Sequence, residues 1–372
     1  MAARIRGIGT AVPETRLAQD DVRALLRAQP GVDRLTQRLI DAAFAASAID
    51  TRYTVLADLA PGAEEDDERM PVRGADGILL APTTGARNAT FVRLAPALFA
   101  RAAEAALIDA GVDRSSVTHV VTVSCTGLFA PGPDYRLVRD LGLSPAVERY
   151  HLGFVGCAAA IPALRTAARV CAAQPDAVVL VVCAELCSLH IRSSSDPQQI
   201  VAASVFGDGA AAAVVTGGDV EVTDDRPSFE IDRFATRLTT TGEDDMAWII
   251  GDHGFEMTLS AEVPRIIGRE IREAVSGFVQ DDDIDTWAVH PGGRSVLDKV
   301  ESGLALDSHA LDASRAVLRD YGNMSSATVL FILSDLLRSD ACGDGERVAA
   351  IAFGPGLTVE AALLVKHIPA EA

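Results

Sequence analysis

The stretch Tyr150-His151-Leu152-Gly153-Phe154-Val155-Gly156-Cys157-Ala158-Ala159-Ala160 decides how the rest of the chain is read. An apolar, glycine-interrupted approach ends at one cysteine, and an alanine-rich segment follows it. Over 158–173 the apolar residues Ile161, Leu164, Ala168 and Cys171 recur at helical spacing. This predicts a buried helix with Cys157 at or just before its first turn. Unpaired amide N–H groups and the positive end of the helix dipole favour a thiolate there. Pro162 lies close enough to the start to be tolerated. A cysteine in such surroundings is by default a small buried hydrophobe, so the case for a nucleophile rests on the remainder of the chain.

The 372 residues suffice for two domains or one large layered unit with ample core. Hydrophobic residues, at 49%, exclude a disordered chain, and only 5% are aromatic, so the core is mostly Ala, Val, Leu and Ile. The formal charge of -19 argues against a nucleic-acid partner, because phosphate backbones need net basic surface. An anionic substrate would need a local cluster of arginines to overcome that field. Six scattered cysteines without a CxxC pair point to reduced thiols and a cytoplasmic setting. The first residues lack the apolar core of a secretory leader, and no apolar run nears the ~18–20 residues of a membrane span. The expectation is a soluble protein with no membrane partner.

Strand patterns fall at 4–11, 119–125, 177–183 and 210–215, and helix patterns at 17–26, 35–44, 88–110 and 135–141. The acidic segment 61–77 reads as a solvated excursion. A second polar passage, 217–228, sets the boundary between halves 1–220 and 221–372. The second half carries strand patterns at 228–234, 246–250, 255–259, 286–290 and 347–353, with helix patterns at 263–278, 296–303 and 325–338. Each half ends in a strand–glycine turn–strand element, one at Phe206-Gly207-Asp208-Gly209 and one at Phe353-Gly354-Pro355-Gly356. The predicted fold class is α/β, a duplicated unit layered helix–sheet–helix–sheet–helix.

Two further stretches look costly unless functional. Val289-His290-Pro291-Gly292-Gly293 places a histidine where an apolar strand gives way to a glycine turn, and open α/β sheets carry catalytic groups at such ends. Tyr321-Gly322-Asn323-Met324-Ser325-Ser326 places an asparagine at a helix entry, where it would otherwise be an N-cap. Cys157, His290 and Asn323 together make a coherent set: an imidazolium stabilises a thiolate, and an amide N–H stabilises a developing oxyanion. Papain-like proteases share the order Cys, His, Asn, and the 133 residues from Cys157 to His290 fall in their range. Their C-G-[SA]-C-[WY] signature is missing, however, as is a secretory leader, and this cysteine lies mid-chain in an apolar setting.

Nine motifs in order carry a resemblance: GIGTAVPE (7–14), VSCTGLFAPGPDY (123–135), GFVGCAAA (153–160), VVCAELCSLH (181–190), SVFGDGAAAAVV (204–215), GDHGFEMTLS (251–260), WAVHPGGRSVLDKV (287–300), LRDYGNMSSATVLF (318–331) and AFGPGLTVE (352–360). Over essentially its full length the chain resembles the type III polyketide synthases of the chalcone/stilbene synthase superfamily, in their bacterial branch. The resemblance implies a thiolase-like five-layered α-β-α-β-α fold, with Cys157 on the first half and His290 and Asn323 on the second. It makes Cys157 the nucleophile that holds the starter and growing acyl chain. His290 would pair with that thiolate, and His290 with Asn323 would bind the malonyl-CoA thioester carbonyl and stabilise the enolate left by decarboxylation. Phe206 matches the gatekeeper phenylalanine between the CoA tunnel and the cavity. The partners implied are acyl-CoA, malonyl-CoA and a second copy of the chain, and no cofactor or metal is implied, CoA thioesters being substrates.

The resemblance also places Cys125, His190, Trp248, Met257, Ser325, Gly354 and Pro355 in the substrate cavity. Cys125 and His190 stand where plant chalcone synthases carry threonines, Met257 where they carry phenylalanine and Trp248 where they carry glycine. Ala130 replaces the methionine that in those enzymes reaches the partner's cavity. Their basic CoA-phosphate ligands are replaced here by Leu39, Ala42 and Ala46, which leaves Arg34, Arg38, Arg52 and Arg294 as candidates, with Ser295 offering a backbone contact to pantetheine. The GDHGFEMTLS and HPGGRSVLD stretches look like bacterial enzymes that make alkylpyrones or alkylresorcinols from fatty acyl-CoA. VSCTG and ELCSL resemble tetrahydroxynaphthalene synthases, which use malonyl-CoA alone. Other readings are a single-condensation ketoacyl-acyl-carrier-protein synthase III and a binding protein without catalysis.

Overall fold

A computed structural model of the chain describes residues 3–62, 70–220, 226–279 and 283–369. The first half runs β1 (Arg4–Ala11), β2 (Thr15–Ala18), α1 (Gln19–Arg27), α2 (Arg34–Ala46), β3 (Thr51–Thr54), α3 (Thr84–Ala110), β4 (His119–Ser124), α4 (Pro133–Asp140), β5 (Glu148–Gly153), α5 (Ala160–Ala173), β6 (Val178–Leu186), α6 (Pro197–Val205) and β7 (Asp208–Thr216). The second runs β8 (Ser228–Leu238), β9 (Met246–Gly251), β10 (Gly254–Leu259), α7 (Val263–Val279), β11 (Thr286–Val289), α8 (Arg294–Leu304), α9 (Asp312–Tyr321), α10 (Thr328–Arg338), β12 (Arg347–Gly354) and β13 (Thr358–His367).

Nine strands are hydrogen-bonded in the order β11-β12-β13-β8-β1-β7-β6-β4-β5. The order is symmetric about the β1–β8 junction, where only Arg4–Glu230 and Ile5–Phe229 are paired. Outward from it, β1-β7-β6 and β8-β13-β12 each run antiparallel, and then β4 and β11 join their neighbours in parallel. The duplication read from the two glycine turns is therefore a repeated strand order. The second half has no described counterpart of β5.

Strand alternation explains the layering. On β6, Val179, Val181 and Cys183 face one cluster that contains α5 and α10, while Val178, Leu180 and Val182 face another that contains α1, α2, α3 and α4. On β12, Val348 and Ala350 face α5 and α10, while Ala349 and Ile351 face α7 and α8. Helices α5 and α10 thus lie between two sheet halves, with further helices outside each, giving five layers α-β-α-β-α. Burial on both faces is why β6 reads as a continuous apolar run. Helix α10 is buried nearly all round for the same reason. Gly7 and Gly9 let α3 lie directly on β1: a Cβ at either would sit within 2.4 Å of backbone nitrogen of Ala110 or Ala106.

Three local expectations change. The approach to Cys157 is not buried: β5 is an edge strand paired only with β4, and it exposes most of its side chains. The helix expected at 17–26 begins only at Gln19, because Thr15–Ala18 pair with Thr51–Thr54. Two short helices, α6 and α9, lie outside the expected helix patterns; α6 has little apolar periodicity, and α9 buries only Ser314, Val317 and Leu318. The 220/221 boundary adjoins residues 221–225, and part of the acidic excursion at 61–77 falls on 63–69; both of these segments lie outside the described residues.

Lys366 on β13 is 1% exposed, and its ammonium donates to the carbonyl oxygens of Leu336, Ser339 and Cys342 at the end of α10. A cation there satisfies orphan carbonyls at the negative end of the helix dipole. Lys366→Met is expected to cost about 2–4 kcal/mol, since buried acceptors are left unpaired. A urea titration showing less than about 1 kcal/mol of loss would contradict this account.

Candidate active site

Cys157 sits in a single 3-10 turn (Gly156–Ala158) directly before α5. The chain reaches it through two left-handed residues, Phe154 (φ 57) and Gly156 (φ 78), which turn the edge strand back into the middle layer. The β12–β13 turn packs on this elbow. A Cβ at Gly156 would lie 2.4 Å from Pro355 Cδ, and one at Gly354 would lie 3.0 Å from the Val155 carbonyl oxygen. Of the two expected cavity residues there, Pro355 lines the substrate cavity, whereas Gly354 acts by permitting this close approach.

Cys157, His290, Asn323 and Phe206 line one pocket. The two halves meet in it, as the resemblance implies. His290 follows β11, its N–H donating to the Ile351 carbonyl at 2.8 Å. Asn323 is held on both sides: its N–H donates to Val205 O (2.8 Å), and its carbonyl accepts from Gly207 N–H (2.9 Å), pairing it with Phe206. The Asn323 side chain is oriented as well. Its Oδ1 accepts from Ser325 N–H at 2.8 Å, and its Nδ2 lies a long 3.4 Å from Gly292 O and also faces the Cys157 sulfur. With the oxygen engaged, the NH₂ group is the part free to donate to a ligand. Both ring nitrogens of His290 are buried without a hydrogen-bond partner.

Burial dominates the electrostatics. The Cys157 thiol is pushed up to about 11 by desolvation and by the charge of Glu185, against hydrogen bonds from Ser325 and Asn323 that pull it down. Burial alone pushes His290 down to about 3. Both shifts work against the expected thiolate–imidazolium pair and favour a neutral thiol beside a neutral imidazole. A neutral imidazole has one N–H and one lone pair, so it can take the thiol proton or donate to an oxygen. Alkylation of Cys157 by iodoacetamide should then accelerate about tenfold per pH unit from 6 to 9, as the thiolate fraction grows. A rate independent of pH over 6–8 would restore the ion pair.

A larger cavity, about 920 Å³ to its mouth, adjoins on the other side of Cys157 and Phe206. Cys125, His190, Trp248, Met257, Ser325 and Pro355 all line it. Cys125 Sγ is 3.4 Å from Ser325 Oγ, and Trp248 Nε1–H donates to the Cys125 carbonyl at 2.6 Å. His190 Nδ1 accepts from Phe255 N–H (2.9 Å), which leaves Nε2 to donate to Thr126 O (2.8 Å). Burial holds this imidazole down at about 4, opposed by the bond to Thr126. Its ring, stacked on Phe255 with centroids 4.2 Å apart, is a wall of the cavity with no proton to trade.

Sequence reasoning missed Glu185. This fully buried carboxylate on β6 accepts from Ser124, Thr126 and Ser326 hydroxyls and from Cys125 N–H, tying β4, β6 and the Asn323 segment together beneath the sulfur. A lone glutamate inside VVCAELCSL was the available signal.

The arginine candidates divide. Arg34 and Arg38 are exposed on α2, and Arg294 and Ser295 are exposed on the first turn of α8, where Arg294 lies 3.5 Å from Asp298. Arg52 corrects the expectation. It is 3% exposed, its Nη1 donates to Ala203 O and Phe206 O, both at 2.7 Å, and it lines the larger cavity, so it lies inside the fold and not on the outer surface with Arg34, Arg38 and Arg294. Inward pairing of β3 against β2 put it there.

Known proteins fit this arrangement. Residues 2–219 match the N-terminal domain of chalcone and stilbene synthases, and 232–369 match the C-terminal domain. A Dictyostelium discoideum protein named Probable polyketide synthase 1 is 30% identical over 370 residues; the match takes in 97% of this chain but only 11% of that protein. Among solved structures, PKS-I of the brown alga Ectocarpus siliculosus superposes with a TM-score of 0.89 at 30% identity, covering 98% of both chains. The C-terminal type III polyketide synthase domain of Steely1, a type I/III hybrid from Dictyostelium, gives 0.87 at 28% identity, covering 99% of this chain and 100% of that one. A fungal type III polyketide synthase, ORAS, gives 0.84 at 25%, with the same coverage. With both family domains matched in order, and with cysteine, histidine and asparagine from the two halves converging on one space, the chain belongs to the chalcone and stilbene synthase family of type III polyketide synthases.

Proposed function

We propose that this chain loads an acyl group from an acyl-CoA onto Cys157, extends it iteratively with malonyl-CoA, and releases a cyclised pyrone or resorcinol-type product. The observation that carries the reading is the pocket shared by Cys157, His290 and Asn323, beside a larger apolar cavity. In loading, His290 takes the thiol proton as sulfur attacks the starter thioester, and CoA thiol leaves with a proton. In extension, malonyl-CoA loses carbon dioxide and leaves an enolate, whose oxygen accepts from the Asn323 amide and the His290 N–H. The enolate carbon attacks the Cys157 thioester, and the sulfur departs as thiolate. The product is a β-ketoacyl-CoA, ready to reload. Decarboxylation supplies the carbanion, so the reaction needs no resident cofactor.

The starter is a fatty acyl group. Trp248, His190 and Phe255 pack edge-on and stacked and fill one arm of the cavity. Leu17, Val22 and Leu59 also line the cavity, side chains suited to an alkyl tail. Arg34, Arg38 and Arg294 hold the CoA phosphates: α2 packs against α6, which ends at Phe206, and α8 brings Val296 into the pocket of Cys157. The chain works as a homodimer through the open edge of β5, next to exposed Tyr150, Phe154 and Val155, because an unpaired edge is a ready template for a second copy. It resides in the cytoplasm, where its six free cysteines stay reduced; no helix among the described residues is long and apolar enough to cross a membrane.

Product analysis with malonyl-CoA and acyl-CoA starters of graded chain length tests the reading. Long-chain starters should give pyrones or resorcinols. A main product from malonyl-CoA alone would favour the tetrahydroxynaphthalene-type alternative, and a single β-ketoacyl product would sink iteration.

A further inference from the structure

Residues Thr51, Arg52 and Tyr53 of β3 each touch a segment that carries the active site. Thr51 Oγ1 donates to Asp320 O at 2.8 Å, and the Tyr53 ring stacks on Tyr321 with centroids 5.8 Å apart; both contacts hold the end of α9 just before Asn323. Between them, Arg52 reaches the other side of the site. Its donation to Ala203 O and Phe206 O covers the last carbonyls of α6 and of the gate residue, where a helix leaves acceptors unsatisfied and its dipole favours a cation. The segment so held is the one whose Val205 O and Gly207 N–H bind the Asn323 backbone.

Packing at two glycines tightens the link. A Cβ at Gly207 would lie 3.2 Å from Arg52 Cβ, and one at Gly322, which has φ 71, would lie 3.5 Å from the same atom. Arg52 therefore sits in a notch between the residue after the gate and the residue before the catalytic amide. No carboxylate neutralises it by contact. The nearest acid, Asp208, accepts from Ser188 and from Val55 N–H, while Arg52 Nε and Nη2 are buried without partners. Burial makes this guanidinium costly, and the edge that is bonded ties the end of α6 to the gate residue.

We propose that Arg52 is a positioning residue for malonyl decarboxylation, bracing Phe206 and Asn323 against each other so that the amide meets the thioester oxygen. This rests on the polyketide synthase reading. Displacing a reacting group by about 1 Å costs ~100-fold, so a loosened brace should appear in kcat. Lysine can replace the guanidinium here in part, because a buried ammonium already spans three carbonyl oxygens in this chain at Lys366.

The test compares Arg52→Met and Arg52→Lys with the parent, each normalised to Cys157 that can be titrated by acyl-CoA, at a temperature well below melting. Carbon dioxide release from malonyl-CoA is expected to fall ~10–100-fold in kcat for Arg52→Met, with KM within about threefold. Arg52→Lys should recover most of the loss. Amide hydrogen exchange gives a readout independent of activity: Gly207 and Asn323 N–H groups should lose protection together in Arg52→Met and keep it in Arg52→Lys. A lowered melting point with kcat per site unchanged would reduce Arg52 to a structural role, and unchanged exchange at both amides would overturn the brace. A parent that releases no carbon dioxide would overturn the function instead, with exchange still deciding the brace.

Discussion

Cys157→Ala should abolish polyketide formation, by at least ~1,000-fold in kcat, while leaving malonyl-CoA decarboxylation measurable. Sulfur is needed to hold the starter and to leave when the enolate attacks. The enolate itself forms against Asn323 and His290, neither of which needs the thiol to bind an oxygen. Intact mass spectrometry should show acyl adducts on the parent and none on Cys157→Ala. The other buried cysteines provide the control. Cys171, on α5, and Cys342 are both buried in the middle layer and line neither cavity. Alanine at those two positions should leave acylation intact. An acyl adduct surviving on Cys157→Ala would place the nucleophile elsewhere, with Cys125 the first suspect, because its sulfur lies in the same cavity.

Which parts of this were legible in the sequence follows from the range of the forces involved. Helix α5 and strands β4, β6 and β12 announce themselves because burial on one or both faces writes a period into neighbouring residues. The cysteine, histidine and asparagine of the proposed site were legible as residue types at strand and helix ends. Their convergence was not, because it depends on how two sheet halves stack, and only the family resemblance supplied it. Arg52 was misread since nothing local distinguishes an arginine that faces solvent from one turned inward by a four-residue strand. Its partners lie about 150 residues away, at Ala203 and Phe206. The protonation of the Cys157–His290 pair is out of reach of local sequence for a related reason. A helix N-terminus favours thiolate locally, but the desolvation that outweighs it comes from the whole cavity wall.

Asn323→Ala should lower kcat for decarboxylation by ~100–1,000-fold with KM little changed, the loss expected for one oxyanion donor in a dry site. The donor acts on charge that develops only as carbon dioxide departs, so ground-state binding is spared. Asn323→Asp separates orientation from donation. It keeps an oxygen to accept from Ser325 N–H, so the turn into α10 stays anchored, but it faces the enolate with a second oxygen in place of NH₂. It should therefore be at least as damaging as alanine despite closer shape, and a mild Asn323→Asp would show that the side chain serves only to hold Ser325. His290→Gln probes the other donor. Because both ring nitrogens lack protein partners, removing the ring should disturb no hydrogen bond of the fold and leave the melting temperature nearly unchanged while kcat falls. If the two donors share one oxygen, the double variant should lose less than the product of the single losses, since each is worth most when the other fixes the thioester. Fully multiplicative losses would mean that His290 and Asn323 act on different atoms, and that the imidazole serves the sulfur alone.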